Sequence, residues 1–70
     1  MYTWKPTPLE SEQRVRAYAA LYAAGYSKDR AQSRLRQALK DAPRNQRAST
    51  TFRKVADAVE AANAKREVGA

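Results

Sequence analysis

Residues Ser27 to Asp41 read Ser-Lys-Asp-Arg-Ala-Gln-Ser-Arg-Leu-Arg-Gln-Ala-Leu-Lys-Asp. Ala31, Leu35, Ala38, Leu39 and Ala42 recur at i, i+4, i+7, i+8 and i+11, the stripe that a helix buries against a body. Lys28, Arg30, Gln32, Arg34, Arg36, Gln37 and Lys40 fill the rest of the circumference. Arg30 and Arg34, then Arg36 and Lys40, stand four apart, so like charges on neighbouring turns repel by a few tenths of a kcal/mol per pair. A helix that keeps such cations side by side is suited to holding an external anion.

Outward toward the N-terminus, Gly25 is placed to end a preceding helix in the left-handed conformation, with Tyr26 as the apolar residue that folds back. Ser27 then caps the central helix, and Asp29 sits at its positive end. The preceding helix starts at Thr7-Pro8-Leu9-Glu10: Thr7 accepts from an amide of the first turn, Pro8 suits that turn, and Glu10 returns a bond to the cap. It is expected to span Pro8 to Ala24. Glu10 with Arg14 and Glu12 with Arg16 are spaced as acid-first i,i+4 pairs. From Ala17 to Ala24 no charged side chain appears, and a helix apolar all round must be covered all round. Tyr18, Leu21, Tyr22 and Tyr26 therefore read as a protein interface, since tyrosine buries its ring while its hydroxyl stays satisfied. Met1 to Pro6 form an extended arm in which Trp4 is expected to pack on the body.

Toward the C-terminus, Pro43 to Ser49 is a basic connector, although Pro43 could also open a further helical turn. Ser49, Thr50 or Thr51 would cap a third helix from Thr50 to Arg66, in which Phe52, Val55, Ala56, Val59, Ala62 and Asn63 keep a helical stripe and Arg53 pairs with Asp57. Residues 67–70 would be a frayed tail. The expected fold is all-α, a single domain of three helices with a helix-turn-helix-like hairpin.

Composition sets the scale of that domain. Four Leu, four Val and one Phe make nine strongly apolar residues of 70, and there is no Ile. Fifteen alanines favour helix but bury little surface each. With ordering costs near ~1.5 kcal/mol per residue such a core about breaks even, and small scaffolds in that position use disulfides, metals or oligomers. The chain has neither Cys nor His, so a homodimer, or folding on a partner, is expected. The composition fits a reducing, cytoplasmic setting, and no apolar run is long enough for a membrane span.

The charge is localised. Between Lys28 and Lys54 nine cations face two acids, Asp29 and Asp41, which accounts for the whole net charge of +7. Five cations and five acids cancel elsewhere. Such a footprint is that of a phosphate-facing surface. Catalysis is not expected: there is no imidazole base, no thiolate and no soft metal ligand, and the carboxylates are scattered. Gly25 stands alone, so no glycine loop cradles a phosphate. No cofactor, metal or small-molecule substrate is anticipated.

The stretch Leu21 to Leu39 resembles the helix-turn-helix of DNA-binding proteins in its Gly-centred turn and in Ala31. It differs where that family buries an apolar residue nine positions after the glycine, because Arg34 stands there and Leu35 follows. The resemblance implies that the helix after the turn enters the major groove. Arg matches guanine and Gln matches adenine in donor and acceptor geometry. The expected nucleic-acid-binding residues are Lys28, Arg30, Gln32, Arg34, Arg36, Gln37, Lys40, Arg44, Arg47, Arg53 and Lys54, with Ser33 among those near base edges. Similar Gly-aromatic-Ser turns occur in three-helix protein-binding domains resembling ubiquitin-associated ones. The expected function is that of a small basic DNA-binding regulator of phage or plasmid type. The alternative is a small inhibitor or adaptor that docks on an acidic host protein through its Tyr/Ala helix face and its basic residues.

Overall fold

Gly25 and Ser27 divide the first half of the chain into two helices, and a proline turn separates both from a third. The structure, a computed structural model, describes residues 8–69, with side chains through residue 66. Among these residues it is all-helical: α1 spans Pro8–Ala23, α2 Lys28–Asp41 and α3 Ala48–Gly69. The arm with Trp4 and the Thr7 cap lie outside the described residues.

The first turn follows the sequence closely. Gly25 has φ +98°, where a Cβ would be strained. Its amide donates to the Tyr22 carbonyl at 3.0 Å while the Tyr26 amide reaches back to Leu21 at 3.0 Å, the paired bonds of a Schellman motif. Tyr26 packs against the core. Ser27, extended at φ −74° and ψ 166°, caps α2 by accepting the Arg30 amide on Oγ at 3.3 Å.

The second connection is a turn rather than helix. Ala42 before Pro43 is extended, as a residue preceding proline tends to be, and the Gln46 amide donates to the Pro43 carbonyl at 3.0 Å. α3 starts at Ala48, two residues ahead of the expected Thr50. Thr51 is not its cap but lies inside its first turns, 3% exposed. There its hydroxyl donates to the Arg47 carbonyl at 3.4 Å and accepts from the Gln46 side chain at 2.8 Å. A buried hydroxyl needs partners, and both come from the turn just before it. The helix runs past the expected end near Arg66 to Gly69.

α1 and α3 lie side by side and parallel. Leu9 and Gln13 face Ser49, Thr50 and Arg53 across a shallow pocket, Arg16 meets Asp57 and Glu60, and the Asn63 side chain donates to the Ala20 carbonyl at 3.1 Å. α2 carries the chain back between them and closes the core. That core joins Ala17 and Leu21 of α1, Ala31 and Leu35 of α2, and Phe52, Val55 and Ala56 of α3, with Tyr18, Tyr26, Ala38, Ala48 and Val59 packed at its edge.

Four residues depart from expectation here: Leu21, Arg16, Asp57 and Leu39. Leu21 is fully buried, at 0% exposure, so it serves the core of its own chain and does not present an interface. Arg16 turns to α3 rather than to Glu12, and Asp57 is taken by Arg16 rather than by Arg53. Cross-helix geometry wins in both cases, because one guanidinium there meets two carboxylates at once. Leu39, placed in the buried stripe by spacing, is 41% exposed, while its neighbour Ala38 packs at the edge of the core. The Ala17 to Ala24 segment is covered on one side only. Val15 at 66% and Tyr22 at 47% exposure, with Ala19 and Ala23, leave the outer face of α1 open.

Candidate nucleic-acid interface

All eleven basic and amide residues expected to meet nucleic acid are exposed. Helical geometry then sorts them. Arg30, Ser33, Arg34 and Gln37 recur at i, i+3, i+4 and i+7, hence on one face, and with Tyr26 and Asp29 they line one open groove. The Arg30 guanidinium lies over the Tyr26 ring, 5.6 Å from its centroid, a cation–π contact. The Schellman turn places that ring, so the Gly25 conformation helps set where Arg30 stands. Gln37 donates to the Asp41 carboxylate at 3.0 Å one turn on.

The other cations are distributed around this face. Arg34 shares a second depression with Lys54, Gln46 and Thr51, and the Lys54 ammonium donates to the Gln46 side chain at 3.2 Å. Arg36 and Gln32 fall on the opposite flank of α2, beside Arg14 of α1. Arg47 and Arg53 stand near Leu9, at the start of α3. Lys28, Lys40 and Arg44 are exposed at or beyond the ends and outer side of α2. The central charge is therefore not one patch: the Arg30 to Gln37 face and its Lys54 edge are brought together, and Arg36, Arg47 and Arg53 are not part of it.

Electrostatically the molecule has two kinds of cation. Arg16 is neutralised: its Nε and Nη2 grip the Glu60 carboxylate at 2.9 and 2.6 Å, and Nη2 also meets Asp57 at 2.5 Å. The hydrogen bond to Glu60, then that to Asp57, raises the guanidinium's affinity for its proton above the ordinary arginine value. The same hydrogen bond from Arg16 holds the Glu60 carboxyl below its usual range. By contrast, among the described residues no ion pair forms on Lys28, Arg30, Arg34, Arg36, Lys40, Arg44, Arg47, Arg53 or Lys54.

Sequence reasoning missed Arg14. Its spacing to Glu10 assigns it a partner, yet it makes no ion pair among the described residues and lines the groove with Arg36. The signal was its position four residues before Tyr18, which puts both on one face of α1. The Tyr18 and Tyr22 rings lie 5.9 Å apart, tilted by 32°, so two of the three tyrosines do form one edge, while Tyr26 is folded inward beside Arg30.

No helix of the structure is long and apolar enough to cross a membrane, and among the described residues no cluster of acidic side chains could hold a metal ion. Comparison with protein-family models, curated proteins and solved structures finds no match to this chain.

Proposed function

We propose that the protein is a small DNA-binding regulator, of the kind phages and plasmids carry, which lays the Tyr26 to Gln37 face of its α1–turn–α2 hairpin into the major groove. The observation that carries this reading is that, among the described residues, the cations of α2 form no ion pair while Arg16 of α1 is held by two carboxylates. Bare cations on adjacent turns cost the isolated fold, and a polyanion removes that cost. Arg30, Ser33 and Arg34 reach base edges, with Gln37 freed from Asp41 on binding. Lys28, Lys40, Arg44 and Lys54 hold phosphates on either side. A homodimer formed on the open outer face of α1, through Val15, Ala19 and Tyr22, would present two such faces to successive half-sites.

Titration with duplex DNA across a salt series tests it. A log–log slope of several units is expected, and Arg30→Ala with Arg34→Ala should weaken binding by about one to two orders of magnitude. A slope near zero, or no binding at low salt, overturns the reading. Sedimentation at micromolar concentration decides the dimer, and a monomer at all concentrations removes that part alone.

A further inference from the structure

A second groove lies on the flank of α2 turned away from the Arg30 face. Leu35 and Phe52, both buried, form its floor; Tyr18 and the exposed Leu39 form its walls. Arg14 of α1 and Arg36 of α2 are the charged residues that line it, with Gln32 beside them. Among the described residues no acid lines the groove and neither arginine has an ion-pair partner.

We propose that this groove is a docking site for an acidic, amphipathic segment of another protein, which inserts one large apolar side chain between Tyr18, Leu39 and Phe52 and sets carboxylates against Arg14 and Arg36. The volume, about 280 Å³, lies at the lower limit of pockets that enclose a whole small molecule and suits a single anchor side chain. Guanidinium groups flanking an apolar floor match carboxylates in fork geometry. An apolar anchor between acids on one helix face satisfies both demands at once, the helix-in-groove mode of recognition. The net charge of +7 favours an acidic partner over a second copy of this chain. A duplex backbone, all phosphate and sugar at its surface, would leave Leu39 and the Phe52 pocket uncovered. This inference stands on a different face from the proposed DNA contacts and does not depend on them.

The test uses the full chain and a pair of synthetic peptides of about fifteen residues. One carries Leu and Phe four positions apart, flanked by glutamates; its twin has glutamine in place of each glutamate. Titrated into isotope-labelled protein, the acidic peptide is expected to shift amide signals clustered at Tyr18, Gln32, Leu35, Leu39 and Phe52. Arg14→Gln and Arg36→Gln should each weaken it about fivefold or more, with helicity by circular dichroism unchanged, and the glutamine twin should bind at least about tenfold more weakly. Arg34→Gln should leave affinity within about twofold. The proposal is overturned if there is no binding at millimolar peptide, or if shifts centre instead on the opposite face, at Tyr26, Arg30, Ser33, Arg34 and Gln37. Equal losses from Arg34→Gln and Arg36→Gln, or concentration-dependent shifts in the groove without peptide, which would make a second copy the occupant, overturn it too.

Discussion

Arg16 and Arg34 are both arginines on small amphipathic helices, but the molecule treats them oppositely. On α1, facing α3, the guanidinium is enclosed by Asp57 and Glu60. On α2 the guanidinium of Arg34 faces solvent with Arg30 one turn before it and forms no ion pair among the described residues, although Asp29 and Asp41 line the depressions on either side of it. The α1–α3 seam is thus electrostatically closed and belongs to the fold. The outer side of α2 is electrostatically open: among the described residues its cations form no ion pair, and Arg30 contributes only its contact with the Tyr26 ring. A charge that stability does not explain points to a use elsewhere.

That contrast can be broken or sharpened by mutation. The largest effect is expected at the core both regions share: Leu21→Ala removes the one large side chain that is fully buried among the described residues and should cost about 3 kcal/mol. In a domain with so few large apolar residues that is most of the stability, and thermal denaturation followed by circular dichroism should show a broad or absent transition. A cooperative transition near that of the parent would show that α1 is not held as described.

Arg16→Gln should lower the melting temperature at neutral pH and flatten its dependence on acid. Glu60 is held below its usual range by Arg16, so its contribution is present above the ordinary glutamate value of about 4.3 and is lost as pH falls through the lower folded value. The parent should therefore weaken from about pH 5 downward, and the variant less steeply. Parallel acid profiles would mean that the seam is held by packing alone. The smallest effect has the opposite sign. Arg34→Gln relieves repulsion with Arg30 and should stabilise the protein by a few tenths of a kcal/mol. A loss of stability would show that Arg34 serves the fold after all.

What was legible in the sequence follows the same division. Local features were readable: Gly25 and Ser27 terminate and start helices through bonds within six residues, and the Ala31 and Leu35 stripe faces the core. The α3 stripe of Phe52, Val55 and Ala56 was readable for the same reason. Contacts that span the chain were not. The i,i+4 rule assigned Arg16 to Glu12, but its partners lie 41 and 44 residues away. It assigned Arg14 to Glu10, although α2 brings Arg36 to it. Thr51 looked like a cap because its type and place fit one; the Pro43 turn, which delivers the Gln46 side chain to its hydroxyl, starts α3 earlier. Leu21 looked like part of a tyrosine edge, since nothing in the spacing says on which side α3 will lie. The full list of basic residues was legible, but its division between two flanks of α2 is set by packing.

The parallel pairing of α1 with α3 carries a kinetic consequence. The bonds that join these helices connect residues more than forty positions apart, as in Asn63 with Ala20, and α2 alone gives α1 little to pack on. Loops of that length must close before such contacts are gained, so the chain should fold more slowly than a helical hairpin bundle of equal size. On the ribosome the first two helices would have to wait, without a core, until the last one has emerged.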